Sequence, residues 1–561
     1  MIEPRRSVRE IRAYSPPLEN RRGRVRLDFN ENTAGTGWEA ADLSAEEVAA
    51  YPEYGRFMGE LSRAWGMSSE RLLVTNGTGE AIHLIAFTFI EPGVDTALTS
   101  APTFALIPHN LKLVGARLVE VPATADLGFD AGAIETALKG GVKLAIFASP
   151  DNPTGATVSS GDVRTWCEGF PDTLFVIDEA YAEYGEESVL PLTMEYSNLI
   201  VLRTFSKAWG MAGLRLGVVA GEPRLIEFLL RVRAPYSVNV AAMRAASFLL
   251  SRRSCVEAEA SKLLSRRPGL LAQLERRGFA THAGGGNFFL MMAGLDAAPL
   301  AAFLRGEGIL VRDQSAKIGM SGIVRVTVGT EEENRRFLEA VDMYRESRAL
   351  VFDLDDTLVD TSRSYDATVA ELVERHSGKP LADGELAKLR QEGGFNDDWE
   401  AAGELIRRRG IEISHEKLAR EGREIYLPLA KEHEQLIVNP VLLEKLARRA
   451  RIFVFTGRTR AEYEPVWSER LGLLFEGVFC RDDFDGLKAK PSPDMLLELM
   501  SRTKSRVGAY VGNSVDDMMS ARAAGLFAIG VETTCPRGLM LDAGANEVLE
   551  TVNDLWGAFR L

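Results

Sequence analysis

Between residues 72 and 217 short apolar runs alternate with helical patterns, and this alternation limits the possible folds more than any other feature of the chain. The runs lie at 72–75, 96–100, 118–121, 144–148, 174–177 and 198–202. Strand and helix in alternation build a mostly parallel sheet with helices on both faces. Helical patterns continue at 224–233, at 244–253 and on to 277, and a smaller α+β unit follows with strands near 287–292 and 323–328. A helical stretch at 331–345 then runs, with almost no linker, into a new apolar strand at Arg348-Ala349-Leu350. From Thr361 to about Asn439 the pattern is helical and charged, and strands return at 451–455, 477–479 and 507–511. The first part, 1–347, is expected to hold a large α/β domain at about 40–255 and a small domain from the amino-terminal arm and 256–347. The second part, 348–561, is expected to be another α/β core, 348–360 and 440–561, with a helical insertion at 361–439.

A chain of 561 residues exceeds a single core, which agrees with two or three domains. Its formal charge of −14 leaves no basic stripe for a nucleic-acid backbone, so no nucleic-acid partner is expected. The four cysteines, Cys167, Cys255, Cys480 and Cys535, form no CxxC pair, which points to a reducing compartment. No run is long enough to span a membrane, and the opening MIEPRRSVREIRAY lacks the apolar stretch of a secretory signal. A cytoplasmic protein acting on small molecules is expected.

The run LRTFSKAWGMAGLRLG at 202–217 turns from an apolar strand into hydroxyls, a lysine and glycines. A lysine placed there suits Schiff-base chemistry: Lys207 would hold an aldehyde cofactor while Thr204, Ser206 and Arg215 bind its phosphate. An SK pair alone is common, so the assignment depends on other strand ends. Asn152, in the NPTG turn after 144–148, would present its amide at the carboxyl edge of the sheet, where open α/β sheets bind ligands. Asp178 ends another strand, followed closely by Tyr181. A buried acid there could keep a pyridine nitrogen protonated, and a strand-end Asp can equally cap a helix. Asn76-Gly77-Thr78-Gly79-Glu80 precedes a helical run whose first amides would face an anion. Phe104 could stack on a ring or belong to the core.

Together these residues resemble the fold-type I, class I/II aminotransferases that use pyridoxal 5'-phosphate, and within them the histidinol-phosphate aminotransferase group. The resemblance runs from about residue 11 to 345. It takes in LDFNEN at 27–32, AYPE at 50–53, the NPTG turn, DEAY at 178–181 and the stretch 203–217. It continues through APY at 234–236, GILVRDQ at 308–314 and IVRVTVGT at 323–330. It implies that Lys207 carries the cofactor and later moves a proton, that Asp178 pairs with the pyridine nitrogen, and that Asn152 and Tyr181 bind the phenolic oxygen. Gly77, Thr78, Thr204, Ser206 and Arg215 would surround the phosphate, with Phe104 against the ring. Tyr51 would reach that phosphate from a second subunit, which implies a homodimer. Arg325 would clamp the glutamate carboxylate, and Tyr14, Asn30, Tyr236 and Arg312 match substrate-binding positions. Two departures stand out: Gly79 replaces an acidic or hydroxyl residue, and Phe104 replaces a frequent Tyr.

The second part opens on FDLDDTL at 352–358. A carboxylate nucleophile attacks phosphorus in line, so Asp353 would project from the strand end beside Mg²⁺. Asp355, two residues on, lies on the same side of an extended chain and can protonate a leaving alcohol. In order along the chain follow Thr456, which could bind a phosphoryl oxygen, and Lys490, which could offset the phosphoryl charge. The acids of VGNSVDD, Asp516 and Asp517, suit a hard cation together with Asp353, Asp355 and Asn513. This series resembles the haloacid dehalogenase superfamily, a Rossmann-like core with a helical cap, from 349 to about 555. The acid at 355 favours a phosphatase or phosphomutase, and Asn513 stands where the family usually has Asp. GGFNDDW at 393–399 reads either as a substrate-facing loop or as a helix-capping turn.

Two sites fused with almost no linker suggest consecutive steps. The first would exchange an amino group between glutamate or 2-oxoglutarate and imidazole acetol phosphate or histidinol phosphate. The second would hydrolyse histidinol phosphate to histidinol. Other amino acids, threonine-phosphate decarboxylation, an unrelated phosphate ester or a silent second domain stay open on the sequence. A DNA-binding regulator does not suit an acidic chain with no preceding helix-turn-helix.

Overall fold

The structure, a computed structural model, describes residues 6–12, 16–17, 19–35, 43–185, 187–392, 395 and 397–561. Tyr14, Gly393, Gly394 and Asn396 lie outside the described residues. The chain forms two compact units: 1–274 with 280–338, and 275–279 with 339–561.

The first unit is built on seven strands: β1 Leu72–Thr75, β2 Thr96–Ala101, β3 Arg117–Pro122, β4 Leu144–Ala148, β5 Leu174–Asp178, β6 Leu199–Thr204 and β7 Gly217–Gly221. Their order is β1-β7-β6-β5-β4-β2-β3, and only β7 runs antiparallel to its neighbours. Every residue of β4 and β5 is buried, as continuous apolar strands require when both faces are covered. Ile146, Val176 and Ile200 pack with Ile82 and Ile85 of helix α1, Thr78–Phe89, while Phe147, Phe175 and Val201 pack with Trp166 on the other face. Each such side chain contributes roughly 1.5–3 kcal/mol on burial.

Strand β7 is absent from the sequence reading because GVVAG looks like the tail of a glycine-rich turn. Its first residue has to be glycine: a Cβ on Gly217 would lie 2.6 Å from the Gly77 carbonyl carbon.

A second sheet in this unit orders β8 Thr281–His282, β9 Phe288–Met292, β10 Arg312–Asp313 and β11 Ile323–Thr327 as β10-β11-β9-β8, all antiparallel. Val25–Arg26 pairs in parallel with Ile309–Leu310. That pairing lays the arm beside β11, where Thr327 N donates to the Leu27 carbonyl at 2.9 Å.

Helix α2, Glu331–Ser347, leads directly into β12, Arg348–Phe352. In the second unit β12 lies centrally in a parallel sheet with β13 Arg451–Thr456, β14 Gly477–Cys480, β15 Val507–Gly512, β16 Phe527–Val531 and β17 Glu547–Leu549, ordered β14-β13-β12-β15-β16-β17. The short segment Glu275–Phe279 belongs to this unit: buried Arg449 donates from Nε to the Gly278 carbonyl at 2.8 Å, and Arg277 pairs with Asp342 at 2.7 Å.

Between β12 and β13 stands the helical insertion, chiefly α3 Tyr365–Ser377, α4 Asp398–Arg407 and α5 His415–His433. Its own core includes Tyr365, Leu372, Trp399, Leu405 and Tyr426. The insertion leaves and rejoins the core through one antiparallel pair, Val359–Asp360 with Gln435–Leu436. Among the described residues no helix is long and apolar enough to cross a membrane.

Candidate active sites

In the first unit the register sets Asp178, at the end of β5, opposite Leu202 of β6. The acid and the lysine-bearing turn after β6 therefore emerge at one edge of the sheet. Lys207 Nζ donates to the Phe29 carbonyl at 2.8 Å and lies 5.5 Å from the Tyr181 ring centroid. Asn30 Nδ2 donates to the Tyr181 hydroxyl at 2.9 Å, and Asn30 Oδ1 accepts from Thr327 Oγ1 at 3.0 Å. The arm thus closes the lysine site.

Asp178 is 2% exposed, and its Oδ1 has no hydrogen-bond partner among the described residues. Burial pushes its carboxyl up to about 7, while the Ala180 backbone and the Lys207 ammonium pull the other way. A buried acceptor left unpaired costs about 1–3 kcal/mol. A protonated ring nitrogen would satisfy it, so the residues present fit a pyridine cofactor.

An anion cradle lies across the turn. Gly77 caps α1 with φ of 77°, and a Cβ on it would come 2.5 Å from Arg215 Nη2. Arg215 Nη1 donates to Ser206 Oγ at 3.4 Å, and Thr204 Oγ1 donates to the same oxygen at 3.0 Å. Thr78 begins the helix, so a guanidinium, two hydroxyls and a helix amino terminus converge, as a phosphate requires.

Asn152 Oδ1 accepts from Arg325, which also donates to the Asp28 carbonyl. Arg312 lies 6.0 Å from the Phe29 ring, and Phe104 packs against the sheet core. Tyr51, 76% exposed, stacks on Tyr236 with ring centroids 4.5 Å apart. Lys317 is a cation that the sequence reading missed. Its Nζ donates to the Thr103 carbonyl at 2.9 Å, and burial pushes it down to about 8, with Arg325 adding to the effect. Nothing in its neighbours, SAKIG, marks it.

In the second unit the chain leaves β12 for β13 on one side and returns to β15 on the other. Such a turning point opens a crevice at the carboxyl ends of the strands. Asp353 follows β12, Thr456 ends β13, and Asn513 follows β15. Lys490 Nζ lies 2.7 Å from Asp353 Oδ1 and 2.8 Å from Asp517 Oδ1. Burial pushes the Asp353 carboxyl up; Lys490 opposes this, and Asp517 and Asp355 reinforce it. One ammonium thus serves several carboxylates, and the remaining negative charge fits a hard divalent cation.

The candidate ligands are not equivalent. Asp517 Oδ2 accepts from Ser514 N at 3.1 Å and Ser514 Oγ at 2.7 Å, capping α6, Val515–Ala523, while its Oδ1 accepts from Tyr510 at 3.1 Å. Both of its oxygens already serve protein donors. Asn513 Oδ1 accepts from Thr357 Oγ1 at 3.3 Å and its Nδ2 donates to Thr534 at 2.8 Å, which leaves the amide oxygen on the side of the Asp353 loop. Asp516 is buried. Asp355 Oδ1 accepts from Arg458 Nε at 2.8 Å and Nη2 at 2.6 Å, and its Oδ2 from Thr456 Oγ1 at 3.2 Å. Arg458 stands in the TGR run of the sequence without a role of its own.

A cavity of about 460 Å³ opens here, lined by the strand ends and by Asp366, Arg390, Phe395, Asp398 and Trp399 of the insertion. Among the described residues, ten acidic side chains line it against four basic ones. Both readings of the described part of 393–399 hold together: Asp397 caps α4 by accepting from Trp399 N at 2.8 Å and also lines the cavity. Asp398 beside it accepts from Arg390 at 2.7 Å, and burial pushes its carboxyl up to about 7.

Residues 27–341 match the family model for aminotransferase class I and II, and residues 347–525 that for haloacid dehalogenase-like hydrolase. A histidinol-phosphate aminotransferase of Symbiobacterium thermophilum is 35% identical over 357 residues, covering 61% of this chain and 98% of that protein. One from Anaeromyxobacter sp. is 34% identical, over 56% of this chain and 90% of its own length. In fold, the first part is similar to the crystal structure of histidinol-phosphate aminotransferase from Sinorhizobium meliloti in complex with pyridoxal-5'-phosphate. That likeness has a TM-score of 0.52 at 23% identity and covers 56% of this chain and 89% of that one.

Proposed function

The chain belongs, over residues 27–341, to the class I and II aminotransferases, and we propose that it joins a histidinol-phosphate-type transamination to hydrolysis of the amino product's phosphate ester. The observation that carries the first half is the unpaired Oδ1 of buried Asp178 beside Lys207. Pyridoxal phosphate, when bound, supplies an electron sink for an amine-bearing carbon. Asp178 would hold the cofactor's ring nitrogen protonated, and Gly77, Thr78, Thr204, Ser206 and Arg215 would hold its phosphate. Lys207 Nζ, released from the Phe29 carbonyl, would take and return the proton at the substrate's amine-bearing carbon. Arg325, held by Asn152, offers a planar pair of N–H groups to the carboxylate of glutamate. Exposed Tyr51 supports a homodimer in which it reaches the partner copy's phosphate site. The names of the two relatives support histidinol phosphate and imidazole acetol phosphate as the other substrate pair.

Residues 347–525 form a haloacid dehalogenase-like hydrolase domain. In the reading proposed, an Asp353 oxygen bonds to phosphorus as the ester P–O bond breaks, and Asp355 gives its proton to the departing alcohol. Asp355 then takes a proton from water, which attacks phosphorus and frees Asp353. Lys490, with Mg²⁺ held by Asp353, Asn513 and Asp516, would offset the charge at phosphorus. The excess of acids lining the cavity favours an ester whose organic part is cationic, as the ammonium of histidinol phosphate is. Hydrolysis in water runs one way, so it would draw the nearly reversible first step forward.

The test supplies the full chain with pyridoxal phosphate, Mg²⁺ and histidinol phosphate, with and without 2-oxoglutarate, and follows glutamate and inorganic phosphate. Both are expected. Glutamate without phosphate would retain the first half and end histidinol phosphate as the hydrolase substrate. Neither product would sink the assignment.

A further inference from the structure

The guanidinium of Arg458 is a buried hub in the second unit, with 1% of its side chain exposed. One edge grips Asp355 through Nε and Nη2. The other meets the Glu434 carboxylate, Nη1 to Oε2 at 3.0 Å and Nη2 to Oε1 at 3.1 Å. Nη1 also donates to the Tyr426 hydroxyl, and the Tyr365 ring centroid lies 5.1 Å from the guanidinium carbon. Glu434, whose side chain is 0% exposed, takes Trp467 Nε1 at 2.6 Å and Ser364 Oγ at 2.7 Å as well.

The positions of these residues along the chain give the cluster its meaning. Ser364 immediately precedes α3, where the insertion begins, and Tyr426 is on α5, its last helix. Glu434 lies between α5 and the strand Gln435–Leu436 that returns to the core. Both crossings between core and cap therefore meet on one guanidinium, and that guanidinium also sets the Asp355 carboxylate. Stability alone does not explain such a cluster. Desolvating each ion costs several kcal/mol, and well-packed apolar replacements of buried ion pairs are often neutral or better.

We infer that Arg458 and Glu434 are positioning residues that tie the orientation of Asp355 to the seating of the two cap crossings. The inference rests on reading Asp355 as the acid and base of the hydrolase. With both crossings seated, Glu434 fills one edge of the guanidinium and the opposite edge presents Asp355 in one orientation. If the Glu434 charge is lost, the guanidinium has a single anion to follow, and Asp355 no longer has a fixed direction of proton delivery.

The test compares wild type with Glu434→Gln, which keeps the shape and one acceptor oxygen but removes the charge and turns the other acceptor into a donor. First-turnover rates are measured on an alkyl phosphate and on 4-nitrophenyl phosphate, whose leaving group needs no proton. General acid catalysis is worth about 10²–10⁴-fold, so the alkyl ester should slow by at least about tenfold and the aryl ester by less than about threefold. A merely structural defect would slow both alike, and that result overturns the inference. A second measurement needs no metal and no activity. Coupling is reciprocal, so Asp355→Asn in the metal-free full chain should speed amide hydrogen exchange at 361–366 and 432–437. Unchanged exchange at both segments also overturns the inference. If wild type cleaves neither ester, the hydrolase reading falls, and the exchange measurement still decides whether the crossings are tied to residue 355.

Discussion

At the first site the buried acid Asp178 keeps an oxygen without a partner, whereas at the second both oxygens of Asp517 and one of Asp353 are met by donors from the chain itself. The first site is a socket: its lysine rests on a backbone carbonyl and its phosphate cradle holds together without an anion. The second would carry its own nucleophile in Asp353, already paired with the Lys490 ammonium. The difference teaches where each reaction keeps its chemistry. In the function proposed, it would reside at the first site in a group that must be bound, and at the second in residues 353, 355 and 490.

The largest expected effect separates the two outright. Lys207→Ala should lower transamination by at least about 10³-fold and Asp353→Asn should do the same to phosphate release. Each should leave the other product's rate within about a factor of two. A variant that lowers both rates would break the contrast between two self-contained sites.

Next comes the unpaired acid. In the cofactor-free chain the Asp178 carboxyl is pushed up to about 7 from an ordinary value of 3.8. Its contribution to stability is present below the unfolded value and is lost as pH rises through the folded one, up to about 4 kcal/mol in all. Cofactor-free Asp178→Asn should therefore be more heat-stable than wild type at pH 8, and the gap should narrow towards pH 4. Parallel melting curves across that window would mean that the socket is already satisfied without a ligand.

A smaller effect tests the cradle. Gly77→Ala places a methyl group 2.5 Å from Arg215 Nη2 at a positive φ. Cofactor affinity should fall about 10–100-fold, read by absorbance titration, from strain of about 1–3 kcal/mol. Phosphate release should not change. The smallest effect belongs to the second site. Asn513→Asp adds a charge where a hard cation is expected, and Mg²⁺ affinity should rise about tenfold, measured by calorimetry. A fall would show that the amide hydrogen bond to Thr534 matters more than the charge.

Legibility differed between scaffold and wiring. The buried strands β4, β5 and β6 and the residues that end them could be read directly, because continuous apolar runs followed by polar turns leave few alternatives. β7 escaped because its glycine answers a backbone contact with Gly77, which no local pattern records. β17 escaped because three residues carry too little pattern, and β16 because a glycine interrupts its short apolar run FAIGV. The roles of Arg458, Glu434 and Lys317 come from partners 24 to 214 residues away, so their neighbours in sequence say nothing of them. The acids of 353 and 355 were visible as a motif, yet the guanidinium that orients Asp355 was visible only as the third letter of TGR.

The segment Glu275–Phe279 has a practical consequence for anyone who would take the molecule apart. Because it packs with 339–561 while the chain on both sides of it belongs to the first unit, the backbone passes between the units three times. A single nick at 347 would leave a carboxy-terminal fragment that does not contain all of its own fold: it would lack the Gly278 carbonyl on Arg449 and the buried Tyr344. A stop codon at that apparent seam would strip 275–279 of the unit it packs in, and a fragment begun there would start without a piece of its own fold.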